Sequence, residues 1–151
     1  MASIRVARAG LSDLDALATL FDAYRVFYGQ PKDFVAAKAF INDRLSKEDA
    51  VIFMAWSGKT AVGFTQLYPT FSSVSMQAFY ILNDLFVHPD HRKKGIGALL
   101  LEAAQAFTSQ NGMKGLALET ANDNPAQKLY ERLGWKKDTE FLHYFWTATK
   151  T

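Results

Sequence analysis

Cysteine is absent from this 151-residue chain, and three kinds of chemistry go with it: a disulfide framework, a thiolate metal site and a cysteine nucleophile. An excess of one charge is missing too. Seventeen Lys and Arg stand against 15 Asp and Glu, a formal +2, and they are dispersed rather than gathered in runs. Neither a nucleic acid nor a membrane surface is therefore an expected partner. No segment approaches the roughly 18 apolar residues that a spanning helix needs, and the opening Met-Ala-Ser-Ile-Arg-Val lacks the apolar stretch of a signal peptide. The cytoplasm is the expected compartment. Histidine is scarce: His88 and His91 flank Pro89-Asp90 without a third ligand, and His143 lies late in the chain, so no metal is expected. A Gly-x-Ser-x-Gly elbow for serine hydrolysis is also missing.

What is present describes an ordinary globular protein, 49% apolar and 14% aromatic. Its length suits a single compact domain spanning 1–151. Ile4 to Ala7 reads as a short strand. Ser12-x-x-Asp15 resembles a capping box ahead of Leu17, Leu20, Phe21, Tyr24 and Phe27, the apolar face of a helix. Gly29-Gln30-Pro31 breaks it, and Phe34, Ala37, Ile41 and Leu45 mark a second helix. From Val51 the period changes to that of a hairpin, Val51 to Trp56 and Ala61 to Tyr68, turning at Ser57-Gly58-Lys59 and ended by Pro69 and Ser72-Ser73. Ala78 to Val87 is a long strand, and Ile96 to Phe107 a helix stopped at Asn111-Gly112. Leu116 to Thr120 reads as another strand. Asn124-Pro125 then opens a helix with Asn as N-cap and Pro at the first position, ending at Leu133-Gly134; Trp135 and Phe141 to Thr147 supply closing strands. The order implies a mixed α+β domain around one sheet.

Arg92-Lys93-Lys94-Gly95-Ile96-Gly97-Ala98 falls where the long strand gives way to a helix. Small residues there let the backbone approach a ligand, its N–H groups can point at an anion, and the helix N-terminus with three cations favours a pyrophosphate. A tight turn beside solvated lysines is the bland alternative. Two nucleotide folds fail on spacing: no Gly-Lys-Ser/Thr follows as in a P-loop, and Gly95-Ile96-Gly97 continues Ala98-Leu99-Leu100 with no third glycine.

Leu82 to Leu101, LNDLFVHPDHRKKGIGALLL, resembles the acyl-CoA-binding motif of the GNAT acetyltransferases, whose core Arg/Gln-x-x-Gly-x-Gly/Ala is matched by Arg92, Gly95 and Gly97. Ala126-Gln-Lys-Leu-Tyr-Glu-Arg-Leu-Gly-Trp135 resembles the family's second CoA-facing helix and the strand after it. The resemblance implies a central, mostly antiparallel twisted sheet with helices on both faces. It also implies acetyl transfer from acetyl-CoA to an amine without a metal, in a ternary complex. The pantetheine would run along Leu85, Phe86 and Val87, one of whose N–H groups would polarise the thioester oxygen, and the pyrophosphate would sit on Arg92 to Ala98.

Attack needs a neutral amine, whereas a lysine-like amine of pKa about 10.4 is protonated at neutral pH, so a base is required. Asp84 and Glu119 are the candidates, each with the alternative of a structural ion pair. Asp84 shares the alternation Leu82, Asp84, Phe86 with apolar residues, so it is either paired inside or exposed to a cleft. Similarity to spermidine/spermine acetyltransferases would put their catalytic glutamate on Asn83, which cannot take a proton; a catalytically silent acyl-CoA-binding sensor is the alternative this departure raises. Tyr130 matches the family tyrosine beside the CoA sulfur and would protonate the departing thiolate. Asn124 either bonds the pantetheine or simply caps its helix; counting from Ala126, the family asparagine lands on Asp123, between Asn122 and Asn124. Tyr28 and Tyr68, with Asp84, are the candidate walls for a small amine, a polyamine, an amino acid or a protein lysine. A homodimer joined through the C-terminal strands is the assembly the resemblance implies.

Overall fold

Residues 3–149 are described by a computed structural model. Strand β1 (Ile4–Arg8) pairs antiparallel with β2 (Val51–Ser57), and the two helices between them cover one face of the sheet. Helix α1 (Leu14–Phe27) follows a short 3-10 turn, and the box at its start is not the one expected at Ser12. Asp13 takes that place: its Oδ2 accepts the Gly10 N–H at 2.9 Å, while its own N–H donates to Gly10 O at 2.9 Å. Helix α2 (Phe34–Lys47) begins after Pro31, with Asp33 Oδ1 accepting the Ala36 N–H at 3.1 Å as its N-cap. The apolar faces of both helices, among them Leu17, Phe21, Ala37 and Ile41, close on Ile52, Met54, Phe64 and Phe86 of the sheet.

β2 turns at Gly58 into β3 (Thr60–Ser72), which runs antiparallel to β4 (Gln77–Val87). Pro69 does not end β3, as its sequence suggested, but sits within it opposite Tyr80. The reason is positional: β2 pairs with β3 no further than Val51 opposite Leu67, so Pro69 lies where β3 has one neighbour and a missing N–H is tolerated. After β4 a short 3-10 turn and the glycine loop lead to α3 (Ile96–Gln110) on the other face, where Ile96 and Leu100 pack with Ala55, Val62, Leu85 and Val87. β5 (Leu116–Ala117) is shorter than the expected span to Thr120 and joins β4 in parallel only at Tyr80 and Ile81. The sheet order is β1-β2-β3-β4-β5. It is the α+β class expected, mostly antiparallel and with helices on both faces.

An irregularity in the β3–β4 ladder decides which way Asp84 points. Gln66 faces Asp84 across the ladder, yet its neighbour Leu67 faces Leu82, leaving Asn83 as an extra residue in β4. Adjacent residues of β3 point to opposite faces, so their partners Leu82 and Asp84 do as well. Tyr80 and Leu82 turn toward α3, where the Tyr80 ring lies 5.9 Å from Phe107, while Asp84 and Phe86 turn toward α1 and α2. Simple alternation, which put Leu82, Asp84 and Phe86 on one face, is corrected by this bulge.

By their internal contacts the described residues fall into a unit ending at Glu119 and a second beginning at Thr120. The second holds α4 (Gln127–Arg132). It starts later than Asn124-Pro125 suggested, but Asn124 Oδ1 accepts the Ala126 N–H at 2.9 Å and organises the turn that leads in, and Gly134 ends it at φ 92°. Trp135 and residues 141–147 form no strand, contrary to expectation. Aromatic and β-branched residues favour a strand only when another strand offers a ladder, and the described residues of this unit supply none.

Candidate functional site

The bulge delivers Asp84 to the floor of a cavity of about 380 Å³ between the C-terminal half of α1, the start of α2, β3 and β4. Asp84 is only 5% exposed, so the lone pairs of its carboxylate must be met within the protein. Gln66 Nε2 donates to Oδ2 at 2.6 Å and Asn83 Nδ2 to Oδ1 at 3.2 Å. The main chain is pinned too, since Thr65 Oγ1 donates to Asp84 O at 2.8 Å. Gln66 Oε1 is buried without a hydrogen-bond partner among the described residues. Its orientation is fixed by Asp84, an acceptor that only the amide nitrogen can face.

Aromatic rings form the walls. Phe21 and Phe40 stack at 5.5 Å and 4°, and Tyr24 sits edge-on to Phe64 at 5.6 Å and to Phe86 at 5.9 Å. Burial, then the charge of Asp84, push the Tyr24 hydroxyl far above the usual phenol range; the same two causes push Tyr68 up to about 12. Both phenols are therefore hydrogen-bond donors at neutral pH and not bases. The charged groups beside the cavity are paired off: Asp22, 3% exposed, holds Arg25 at 3.3 Å, and Arg44 holds Asp49 at 2.7 Å.

At the far end of β4 lies the predicted anion loop. The His88 N–H bonds Val62 O, and Phe64 opposes Phe86. By antiparallel alternation the peptide groups of Phe86 point to β3, and those of Leu85 and Val87 to the other edge, where β5 pairs no further than Ile81. Of the three residues expected along a pantetheine, Leu85 turns both peptide groups and Val87 its N–H to this open edge, the Val87 carbonyl being taken by Arg92, and Phe86 offers its ring to the core. Gly63 lets this part of β4 come close: a Cβ there would stand 2.8 Å from Phe86 O and 3.3 Å from Leu100 Cδ1.

Lys93 and Gly95 are left-handed, at φ 63° and 77°, and α3 begins directly after them. The first N–H groups of α3, on Ile96, Gly97 and Ala98, lack intrahelical acceptors and carry the positive end of the helix dipole. Ile96 contributes only its backbone, because its side chain is in the core. Lys93 and Lys94 are exposed beside the loop. Arg92 does more than carry charge: its Nε donates to Val87 O at 2.9 Å, and its guanidinium lies 4.9 Å from the Phe27 ring and 5.7 Å from that of Phe86. It ties the loop to the end of β4 and to α1.

The structure therefore brings Asp84 and Tyr68 together in one cavity and leaves Glu119 outside it, exposed just beyond β5. Tyr28 does not line the cavity but braces Tyr24 edge-on at 5.0 Å. Tyr130 lies on α4 in the second unit, its ring 5.9 Å from Trp135, and Asn124 is engaged in the turn that leads into that helix. Tyr24, Arg25, Phe40 and Gln66 were not singled out from the sequence; helical spacing marked Tyr24 only as core. Among the described residues, no group of three or more His, Cys, Asp or Glu is placed to hold a metal, and no helix is long and apolar enough to cross a membrane.

A strand-to-helix loop with left-handed Lys93 and Gly95, a half-open strand edge and a buried carboxylate under an aromatic cavity are the features that β4 brings together. The model of the acetyltransferase (GNAT) family matches residues 14–135. The chain is 49% identical over 142 residues to the uncharacterized N-acetyltransferase YhfO of Bacillus subtilis (strain 168), covering 93% of this chain and 95% of that one. A crystal structure of a "probable acetyltransferase" is 35% identical with a TM-score of 0.90, over 97% of this chain and 99% of that one. An aminoglycoside N-acetyltransferase, AAC(6')-Iy in complex with CoA, shares the fold at a TM-score of 0.78 and 21% identity, over 98% of this chain and 97% of that one. This chain belongs to the GNAT acetyltransferase family. It is an acyltransferase, of a family that uses acetyl-CoA.

Proposed function

We propose that the chain acts as one N-acetyltransferase domain, moving the acetyl group of acetyl-CoA to a primary amine seated above Asp84. The amine nitrogen bonds to the acetyl carbon as the carbon–sulfur bond breaks, within a ternary complex. One ammonium proton leaves to Asp84 before attack, directly or through water; Tyr130 protonates the CoA thiolate, and the second proton, lost from nitrogen as the amide forms, restores the Tyr130 hydroxyl through solvent. The backbone edge at Leu85 and Val87 takes the pantetheine amides. Residues Arg92 to Ala98 take the pyrophosphate on backbone N–H groups, with Lys93 and Lys94 adding charge.

The observation that carries this reading is the placement of Asp84. Among the described residues it is the one carboxylate lining the cavity, on the same strand whose next residues present the free peptide edge. That favours it over Glu119. Tyr24 and Tyr68 stay protonated, and their neutral phenol oxygens can accept from the acceptor ammonium. CoA bound to a protein of the same fold supports the choice of cofactor.

The test is calorimetry of the full chain with acetyl-CoA, followed by thiol release with a panel of amines and the same assay on Asp84→Asn. Binding near micromolar Kd, amine-dependent thiol release, and loss of about a hundredfold or more in Asp84→Asn are expected. No heat of binding at millimolar acetyl-CoA would end the proposal.

A further inference from the structure

We infer that the acceptor is a primary monoamine with an aromatic or branched apolar body, and that polyamines, aminoglycosides and amino acid zwitterions are excluded by charge. This rests on the acetyl-transfer reading for its chemistry; the recognition argument stands on the cavity alone.

The first step is a count of charge. Arg25 is held by Asp22 at 3.3 Å and by Pro31 O at 3.3 Å, and Arg44 by Asp49 at 2.7 Å. Each of these pairs is neutral in itself. Among the described residues Asp84 remains as the one lining charge without an ionic partner, so the cavity is matched by one positive charge and no more. A zwitterion would bring a carboxylate that has only Arg25 to meet it, and the charge of Arg25 is already balanced by Asp22. A polyamine's further ammonium groups would find no second carboxylate among the lining residues, where Phe21, Phe40, Ala36 and Ala37 accept no conventional hydrogen bond.

Shape and polarity agree. At about 380 Å³ the space is near the lower end of small-molecule sites, and a polyhydroxylated sugar would find few partners among its rings. An apolar body against Phe21, Phe40 and Tyr24 keeps its dispersion contacts, and the ammonium over the Tyr24 and Tyr68 rings gains cation–π attraction while it bonds Asp84. A fold neighbour that acts on aminoglycosides therefore does not set the acceptor here.

Two readouts on the full chain separate this inference from the acetyl-transfer reading. In thiol release with saturating acetyl-CoA, phenethylamine is expected to exceed spermidine, kanamycin and phenylalanine in kcat/KM by at least about tenfold. In calorimetry on the CoA-loaded protein, phenethylamine should bind and the other three should not. Phe40→Ala, at a position 39% exposed, should raise KM for phenethylamine about tenfold with little change in kcat or in KM for acetyl-CoA. Ala36→Trp, an exposed rim position that fills the space, should do the same without removing any core atom. Spermidine, kanamycin or phenylalanine matching phenethylamine would overturn the inference and leave acetyl transfer intact. Phenethylamine binding without acetylation would overturn acetyl transfer and leave the cavity assignment intact. Failure of phenethylamine to bind would overturn the inference.

Discussion

Deleting Asn83 should remove the bulge in β4, and the cost follows from the register. With Asn83 gone, Leu82 and Asp84 become neighbours on a regular ladder, and one segment of β4 must turn over. If the upstream part turns, Tyr80 and Leu82, 9% and 4% exposed, leave the face they share with α3. Each buried side chain of that size is worth about 1.5–3 kcal/mol, so the loss is about 3–6 kcal/mol. If the downstream part turns, Phe86 leaves the α1 side and the Asp84 carboxylate is driven among Ile96 and Leu100 without its two donors, which costs no less. Either outcome consumes much of the about 5–15 kcal/mol that holds a domain together. Asn83→Ala keeps the extra residue and loses one hydrogen bond of 3.2 Å, about 1 kcal/mol. Urea denaturation followed by circular dichroism, with thiol release on whatever remains folded, compares the two. A deletion variant that unfolds at the wild-type urea concentration and still transfers acetyl would refute the claim that the bulge aims Asp84.

Gly63→Ala would place a methyl 2.8 Å from the Phe86 carbonyl oxygen. A backbone atom cannot yield as a side chain does, so the variant should lose about 1–3 kcal/mol in urea and bind acetyl-CoA more weakly, because the Leu85–Val87 edge is what moves. Arg92→Lys keeps the charge but loses both the Nε bond to Val87 O and the planar stacking on Phe27 and Phe86; calorimetry should show acetyl-CoA affinity falling about tenfold, and unchanged affinity would mean that charge alone matters there. Alkaline stability supplies a last check. The native state holds the Tyr68 proton more tightly than the unfolded chain, so its contribution is complete below pH 10 and is lost as the pH rises toward about 12. With the shift worth about 3 kcal/mol at most, thermal melts should fall steeply across that window, and less so in Tyr68→Phe.

Much of the frame was legible because periodicity reports burial directly. The apolar spacings of α1, α2 and α3, the hairpin turn at Gly58 and the strand through Val87 needed no tertiary information. The loop at Arg92 was legible through small residues at a strand-to-helix junction. Other features depend on neighbours. Pro69 reads as a stop until β2 is known to end beside Leu67. The bulge at Asn83 has no local signature, and it decides which face Asp84 takes. Arg25, Phe40 and Gln66 enter the site from three separate elements, and nothing in their spacing announces that they meet. Phe141 to Thr147 shows the reverse failure, since β-prone composition states a preference and a strand still needs a partner.

The two-residue pairing of β5 with β4 has one more consequence. A strand edge with peptide groups unspent is adhesive toward any other extended chain, and crowded or freshly synthesised protein is exposed to that hazard. Lys93 and Lys94, exposed just past the end of β4, are the kind of residues that repel a second copy from such an edge while drawing in a polyanion. Cofactor bound along those peptide groups should keep the protein dispersed as well as more stable.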